Sequence, residues 1–251
     1  MIQENASQAP SNRIRASVKI IEKKEIAEGT LGLYLEKPNG FTYCAGQYVL
    51  LHVPQLSEKG GREATHPMSL ASAPYQDYLL ISMRVSQSDF KQTINNMAVG
   101  EELVVDGPIG NFILNNDNHP IVFLAGGIGI APFLGMILDQ QNNGWPRPIT
   151  LFYGNKTPQN TAFLELLRGI KSDKFLFIPT MSQLSDDDKT WAGERGRITA
   201  SMVSKYVKDV MVPIYYIVGL PEMVKATKEE MLKLGVKSEN IKIEFFTGYT
   251  K

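Results

Sequence analysis

The segment from Ile121 to Leu138, IVFLAGGIGIAPFLGMIL, limits the possible folds of this chain more than any other. Its eighteen residues reach the length of a membrane span. However, three glycines lie in its first half and Pro132 lies near its middle, a pattern typical of a buried strand, a glycine turn and a helix whose first turn contains the proline. The segment therefore predicts a strand–turn–helix unit of a globular domain and no membrane span.

The remainder of the chain is consistent with a globular protein of two domains. Its 251 residues, 43% hydrophobic and 21% charged, are enough for two separate cores. The formal net charge of +0 gives no overall field that would favour nucleic acid or an anionic membrane. A single cysteine and three histidines argue against a disulfide, an iron–sulfur cluster bound by this chain and a zinc site, so no metal is expected. The lone Cys44 and a polar N-terminus indicate a cytoplasmic protein.

The pattern of predicted secondary structure changes near residue 115. Short β-type runs before it predict a small antiparallel β-barrel over residues 13–115, with one helix at Asp89–Met97. After it, apolar strands alternate with helices, which predicts an α/β domain with a parallel sheet over residues 119–251. Residues 1–12 are expected to form a flexible tail. The helices expected in the second half are Phe133–Asn142, Thr161–Lys171, Thr199–Val207 and Glu222–Leu234.

The glycines of the apolar segment lie where a nucleotide would bind. The predicted strand ends at Ala125, the chain turns through Gly126–Gly129, and a helix begins near Pro132. Glycine lets the backbone approach a pyrophosphate closely, and the N–H groups at the helix start attract its charge. The fingerprint is incomplete, because proline replaces its third glycine and the next strand ends in Asn155 without an acid to hold a ribose. A tight strand–helix turn that binds no ligand is the alternative.

A second segment, HPMSLASAP from His66 to Pro74, carries less information by itself. Its serines alternate with apolar residues, so a strand with one polar face is the simplest interpretation. Taken together, however, six segments resemble the ferredoxin–NADP reductase superfamily, in the family's order and over nearly the whole chain. The resemblance implies a barrel that holds FAD and a second domain that binds NADH or NADPH. The six segments are FTYCAGQYVLLHVP, HPMSLASAP, DGPIGNF, LAGGIGIAPF, IVGLPEMV and the closing Glu244-x-Phe246.

The resemblance also implies two catalytic candidates. Ser69 matches a serine whose hydroxyl points at flavin N5, where hydride arrives, and a hydroxyl can donate or accept there as the nitrogen changes protonation. Glu244 matches an acid near the same nitrogen, and Phe246 matches an aromatic residue near the flavin ring.

Two positions of HPMSLASAP depart from the family pattern. Met68 replaces an aromatic residue that stacks on the flavin, although its thioether can still pack there. His66 replaces an arginine that binds the flavin phosphate, with Arg84 and Lys91 as the available cations or, equally, as solvated surface charges. The residues expected to contact FAD are His66, Pro67, Met68, Ser69, Arg84, Phe90, Lys91, Gln92, Thr93 and Phe246.

Nucleotide contacts are implied in the second domain, where Val218 replaces a family cysteine. The stretch Thr180–Gln183 keeps a family serine and lacks the arginine that usually holds the 2′-phosphate of NADPH, so the sequence favours NADH. Arg195 and Arg197 are candidates to replace that arginine, since a guanidinium group suits a phosphate. The residues expected to contact the nucleotide are Gly127, Gly129, Ile130, Ala131, Pro132, Asn155, Met181, Gln183, Gly219, Pro221, Glu222 and Met223.

These features predict an FAD-dependent NAD(P)H reductase that passes electrons to a separate acceptor protein, such as a ferredoxin, a flavodoxin or an oxygenase component. One alternative is a reductase of free flavin or ferric chelates. Another is a non-catalytic redox sensor, which the departures at His66, Met68 and Val218 would fit. A third is an electron-transfer or regulatory subunit of a larger flavoenzyme. Neither nucleic acid nor a membrane is an expected partner, and no oligomeric state is predicted.

Overall fold

The computed structural model describes residues 13–59, 61–115, 117–185 and 190–246, and the tail expected at residues 1–12 lies outside them. The chain divides into two compact units. The first runs to Asp117 and also includes Ala131–Asn142, and the second consists of Asn118–Ile130 and the chain from Asn143 onward. The sequence does not predict that Ala131–Asn142 belongs to the first unit, and the limits expected at residues 115 and 119 remain predictions.

The first unit is built around one antiparallel sheet. In the described residues its strands are β1 (Ile14–Ala27), β2 (Thr30–Glu36), β3 (Tyr48–His52), β4 (Thr65–Ser69), β5 (Tyr78–Arg84) and β6 (Glu102–Ile109). They are ordered β4-β3-β6-β1-β2-β5. The alternating Leu31, Leu33 and Leu35 of β2 are buried, as one face of a strand requires. A bridge between Leu70 and Ile81 joins the two ends of the sheet, which confirms the antiparallel barrel that the sequence predicts.

Within the described residues, the first unit also contains helices α1 (Gly61–Ala64) and α2 (Asp89–Asn96), and all of helix α3 (Ile130–Asn142) except its first residue. Helix α3 approaches the barrel closely at Gly135. A Cβ atom at this residue would lie 2.7 Å from the carbonyl oxygen of Ser72 and 3.1 Å from that of Leu70. Because real Cβ atoms do not approach backbone oxygens so closely, only glycine allows this packing.

The second unit contains a parallel sheet. In the described residues its strands are β7 (Ile121–Gly126), β8 (Ile149–Asn155), β9 (Phe175–Met181), β10 (Glu194–Arg195), β11 (Ile214–Gly219) and β12 (Ile241–Phe245). Their order is β10-β9-β8-β7-β11-β12, and each neighbouring pair is parallel. Strands β8, β9 and β10 therefore lie on one side of β7, and the chain then crosses over to place β11 and β12 on the other side. This reversal creates a switch point between β7 and β11, where sheets of this kind bind ligands at the carboxyl ends of their strands.

Helices α4 (Leu164–Gly169), α5 (Ala200–Tyr206) and α6 (Pro221–Lys233) belong to this unit. Val122 and Leu124 of β7 pack in one cluster with Val203 of α5 and with Val224 and Met231 of α6. Full burial of each such side chain contributes about 1.5–3 kcal/mol. The alternation of apolar strands and amphipathic helices thus confirms the predicted α/β domain.

Helix α4 is shorter than expected from Thr161–Lys171. The hydroxyl of Thr161 donates a hydrogen bond to the Thr157 carbonyl oxygen at 2.8 Å, which stabilises a turn. Phe163 then adopts a left-handed φ of 60°, which a helix of L-residues does not tolerate. The helix therefore begins only at Leu164.

The segment Ile121–Leu138 forms β7, a short 3₁₀ turn at Gly127–Gly129 and most of α3, as predicted. Pro132 lies in the first turn of α3, where its missing N–H breaks no helical hydrogen bond. Across the described ranges, none of the helices combines the length and the apolar character needed to cross a bilayer.

Candidate flavin and nucleotide sites

The two serines of HPMSLASAP have different environments. Ser72 is fully buried, and its hydroxyl lies 2.9 Å from the Tyr43 hydroxyl and accepts a hydrogen bond from the Leu80 backbone N–H at 3.0 Å. Ser69, at the end of β4, is 9% exposed. Within the described part of the chain, its hydroxyl makes no hydrogen bond. The hydroxyl of Ser72 is therefore engaged within the barrel, whereas no described group engages the hydroxyl of Ser69.

His66 and Lys91 lie close enough to influence each other. The imidazole of His66 packs on the ring of Phe90 with centroids 4.3 Å apart. Burial, assisted by the positive charge of Lys91, lowers the pKa of His66 below its usual 6.5. Burial also lowers the pKa of Lys91 to about 8. At pH 7 the pair therefore consists of a neutral imidazole and a mostly protonated ammonium group.

The other residues expected to contact the flavin differ from one another in exposure and in their contacts. Pro67 is exposed and Met68 packs against the barrel core. The side chain of Gln92 donates to the Ser86 carbonyl oxygen at 2.7 Å, and its backbone N–H donates to the Ser88 carbonyl oxygen at 2.9 Å. The carbonyl oxygen of Thr93 accepts a hydrogen bond from the Met97 backbone N–H at 3.0 Å. Arg84 donates to the Glu28 carbonyl oxygen at 3.3 Å. That contact holds Arg84 at the β1–β2 turn, which makes Lys91 the cation that the structure associates with His66.

Two positions in the turn between β7 and α3 are occupied by glycine for different structural reasons. Gly129 packs on β11, because a Cβ atom there would lie 2.5 Å from the Val218 carbonyl oxygen. Gly127 has a φ of +53°, and a Cβ atom there would meet nothing within 4 Å. Gly129 is thus required by the fold, and Gly127 presents bare backbone to open space. The turn leads directly into Ile130, Ala131 and Pro132, whose side chains are buried.

Met223 fills the space between the ends of β7 and β11. A Cβ atom would lie 3.0 Å from its Sδ atom at Gly126 and 2.8 Å from it at Gly219. Pro221 and Glu222 form the first turn of α6 beside it. The segment predicted to lie near the nicotinamide is therefore placed at the switch point of the sheet.

Asn155 ends strand β8 with a buried side chain. It is 7% exposed, and neither its Oδ1 nor its Nδ2 atom has a hydrogen-bond partner among the residues that the structure describes. Its backbone oxygen accepts hydrogen bonds from the backbone N–H of Ser182 at 2.9 Å and from the Ser182 hydroxyl at 3.1 Å. A buried amide without partners costs about 1–3 kcal/mol for each unpaired group, so Asn155 can gain energy from a polar ligand.

Met181 is the last residue of β9, and Gln183 follows two positions later. The Met181 side chain is buried in a cluster with Leu164 and Trp191, so a nucleotide could reach only its backbone. Gln183 is exposed, and its backbone N–H donates to the Lys156 carbonyl oxygen at 2.9 Å.

The last described strand brings two further candidates to the same edge of the sheet. Glu244 lies opposite Val218 in the β11–β12 pairing. The backbone N–H of Phe246 donates to the Gly219 carbonyl oxygen at 2.9 Å. Glu244, Phe246 and Gly219 therefore lie together at the carboxyl edge, and the roles of the first two beside a flavin remain predictions.

Comparison with protein-family models identifies an FAD-binding domain over residues 13–126 and an oxidoreductase NAD-binding domain over residues 123–229. Among curated proteins, the reductase component of propane 2-monooxygenase from Rhodococcus jostii (strain RHA1) is 29% identical over 249 residues, which cover 95% of this chain and 65% of that protein. The chain thus spans slightly less than two thirds of this relative's length.

Two solved structures share the fold. An Amycolatopsis cytochrome P450 reductase has a TM-score of 0.83 at 24% identity, covering 98% of this chain and 74% of that one. A ferredoxin NADP+ reductase from Neisseria gonorrhoeae, solved with bound FAD and NADP, has a TM-score of 0.76 at 21% identity, covering 92% of this chain and 98% of that one. The arrangement of a barrel followed by an α/β domain is therefore that of a known family of structures.

Proposed function

Since the chain belongs to the FAD- and NAD-binding oxidoreductases of the ferredoxin–NADP reductase-like superfamily, we propose that it takes electrons from a reduced nicotinamide nucleotide and passes them through FAD to a separate acceptor protein. One observation carries this proposal: an FAD-binding domain at residues 13–126 is followed directly by an NAD-binding domain at residues 123–229. A chain with both domains can bind both cofactors, so that hydride passes from the nicotinamide nucleotide to the flavin.

The barrel offers groups that fit a flavin nucleotide. Lys91 supplies a positive charge and His66 an additional donor for a phosphate, in place of an arginine fork. The N-terminus of α2 follows Ser88, whose side chain does not cap it. These groups support FAD binding by the barrel.

Redox chemistry in this protein would be supplied by the bound flavin. The role of the chain is to orient its cofactors and to place hydrogen-bonding groups at the reacting atoms. We assign the hydroxyl of Ser69 to the reactive flavin nitrogen, because it is the serine hydroxyl of HPMSLASAP that the barrel does not already use. Met68, packed on the barrel core, is proposed to contact the ring.

The α/β domain offers groups that fit a dinucleotide. Gly127 presents backbone to open space at the start of α3, where a pyrophosphate would be stabilised. Asn155 presents an amide that has no partner in the described part of the α/β domain. From the absence of arginine in Thr180–Gln183, we propose that NADH is a donor.

The acceptor is proposed from the relative that this chain resembles. The Rhodococcus protein is the reductase component of a monooxygenase. We therefore propose an oxygenase component or a small redox protein, such as a ferredoxin or flavodoxin, as the acceptor of this chain.

Anaerobic titration of FAD-loaded protein tests the proposal. NADH is expected to bleach the visible absorbance of the flavin, and turnover should then require a ferredoxin, a flavodoxin or an oxygenase component. Turnover with free FMN or ferric citrate alone would instead identify a reductase of small acceptors. A bound flavin that neither NADH nor NADPH bleaches would refute the reductase function and favour a sensor.

A further inference from the structure

A lysine of strand β1 is bonded to the C-terminal end of helix α2. The ammonium group of Lys23, a half-buried residue, donates to the Asn95 carbonyl oxygen at 2.8 Å and to the Met97 carbonyl oxygen at 2.6 Å. Helix α2 ends at Asn96, and carbonyl groups at the end of a helix lack donors within it. Lys23 therefore supplies, from another element of the barrel, the donors that this helix end lacks.

The surroundings of Lys23 strengthen these two hydrogen bonds. Burial lowers the pKa of Lys23 below its usual 10.5, and the Glu101 carboxylate acts in the opposite direction. Carbonyl dipoles attract a partly desolvated ammonium group more strongly than a fully solvated one. A cation is also favourable at the C-terminal, negative end of a helix. A neutral side chain at position 23 would therefore weaken the attachment of α2 to β1.

The loop that follows α2 is bonded to the same strand. The Gly100 backbone N–H donates to the Ile20 carbonyl oxygen at 2.8 Å, and the Ile20 backbone N–H donates to the Glu101 carbonyl oxygen at 2.9 Å. These backbone bonds hold the loop, whereas the bonds of Lys23 reach the helix itself. Lys23 thus extends the attachment from the loop to α2.

The other end of α2 carries residues that are expected to contact FAD. Phe90 and Ile94 are buried in the barrel core. Lys91 is 8% exposed and lies close enough to His66 to lower its pKa, and the ring of His66 packs on Phe90. Apolar packing is not directional, so it holds the helix against the core without fixing its tilt. The hydrogen bonds at the C-terminal end supply that direction.

The length of α2 turns a small tilt into a large displacement. A helix of eight residues is about 12 Å long, so a tilt of about 10° moves one end relative to the other by about 2 Å. Donor–acceptor distances of good hydrogen bonds vary by only about 0.5 Å. A tilt of this size would therefore separate Lys91 from a phosphate that it contacts.

We propose that Lys23 is a positioning residue for FAD, which fixes the C-terminal end of α2 so that Lys91, near the N-terminal end, meets a phosphate of the cofactor. Lys23 acts through the helix and not by contact with the cofactor. This inference rests on the proposed binding of FAD by the barrel.

Titration of FAD-free protein with FAD, followed by flavin fluorescence, tests the inference. Lys23→Met keeps an apolar side chain, removes the ammonium group and should raise the Kd for FAD about fivefold. Lys23→Arg restores a charged donor and should return the Kd to within about twofold of the wild-type value. Lys24→Met removes an exposed charge from the next position of β1 and should leave the Kd unchanged.

A double-mutant cycle with Lys91→Met distinguishes positioning from a general effect on the barrel. If Lys23 acts through Lys91, adding Lys23→Met to the Lys91→Met protein should change the Kd by about twofold or less. A general loss of barrel stability would raise the Kd by the same factor in both backgrounds. Thermal unfolding of each FAD-free variant sets a titration temperature at which all are folded, and Lys23→Gln replaces Lys23→Met if the latter does not fold.

Three results would overturn the inference: an unchanged Kd in Lys23→Met, no recovery in Lys23→Arg, or equal effects of Lys23→Met with and without Lys91. Anaerobic reduction of the wild type separates this inference from the proposed function. If NADH bleaches the flavin but Lys23→Met binds FAD normally, only the inference fails. If the Kd values change as expected but neither NADH nor NADPH bleaches the bound flavin, only the proposed function fails.

Discussion

Replacing each serine of HPMSLASAP by alanine should separate barrel stability from flavin chemistry. Ser72→Ala removes the acceptor of the Leu80 backbone N–H and one partner of the Tyr43 hydroxyl. Tyr43 keeps its hydrogen bond to the Ser72 carbonyl oxygen at 3.0 Å, so the main loss is one unsatisfied buried N–H group. Such a group costs about 1–3 kcal/mol. In a domain of about 100 residues, each kcal/mol lowers Tm by roughly 4–8 °C.

Ser69→Ala removes a hydroxyl that has no partner in the described barrel, so stability should change by less than about 0.5 kcal/mol. If that hydroxyl contacts the flavin nitrogen as charge develops there, its hydrogen bond is worth about 1.5–3 kcal/mol in the transition state. Flavin reduction should then slow by roughly 10- to 100-fold.

Two measurements on the same pair of variants check this reasoning. Thermal unfolding of the FAD-free proteins gives the stability change, and anaerobic stopped-flow reduction of the FAD-loaded proteins by NADH gives the rate. FAD content is measured for both variants as a control. A normal reduction rate in Ser69→Ala, or a wild-type Tm in Ser72→Ala, would mean that the roles of the two hydroxyls have been wrongly assigned.

Further predictions concern the glycine turn and the buried lysine. Gly129→Ala should lower the unfolding temperature of the α/β domain markedly, because the added methyl group would meet the Val218 carbonyl oxygen. Gly127→Ala should cost about 1 kcal/mol of stability through its positive φ and should mainly raise the Kd for NAD+. Thermal unfolding and nucleotide titration of both variants distinguish these effects. Lys91→Met should raise the Kd for FAD at least about tenfold, which flavin fluorescence measures. The pKa of Lys91 is about 8 when folded and 10.5 normally, so the folded state binds fewer protons between these values and the free energy of unfolding of FAD-free protein should rise with pH there. Urea unfolding at about pH 7.5 and pH 10 should show this rise in the wild type, and a rise of equal size in Lys91→Met would contradict it.

Most strands are predictable from this sequence because each buries a regular set of apolar side chains. Strands β2 and β5, for example, lie within residues 13–115, where the short β-type runs predict the barrel. The helix at Thr161–Lys171 was partly wrong because its limits depend on local turn geometry. The positive φ of Phe163 has no signal in residue type, since left-handed backbone is typical of glycine and asparagine and not of an aromatic residue.

Site residues are less predictable, because their availability depends on contacts between distant parts of the chain. Tyr43 and Ser72 are separated by 29 positions, yet their hydrogen bond decides which serine of HPMSLASAP is left for a ligand. Similarly, Ser182 engages the backbone oxygen of Asn155, whereas the side-chain amide of Asn155 has no partner among the described residues. Residue type and spacing locate these segments, and they do not reveal which polar groups the fold already satisfies.

The same distinction applies within both motifs and explains why each contains more residues than its ligand can contact. In the glycine turn, Gly129 is required by the carbonyl of Val218, whereas Gly127 faces open space. In HPMSLASAP, Ser72 is required by the barrel, whereas Ser69 is not. A ligand can use only groups that the fold has left unengaged, so substitutions at Ser69 and Gly127 should act mainly on cofactor binding and rate, and those at Ser72 and Gly129 mainly on stability. A motif of this family is therefore a mixture of structural and ligand-binding residues, and only the contacts of each residue assign it to one group.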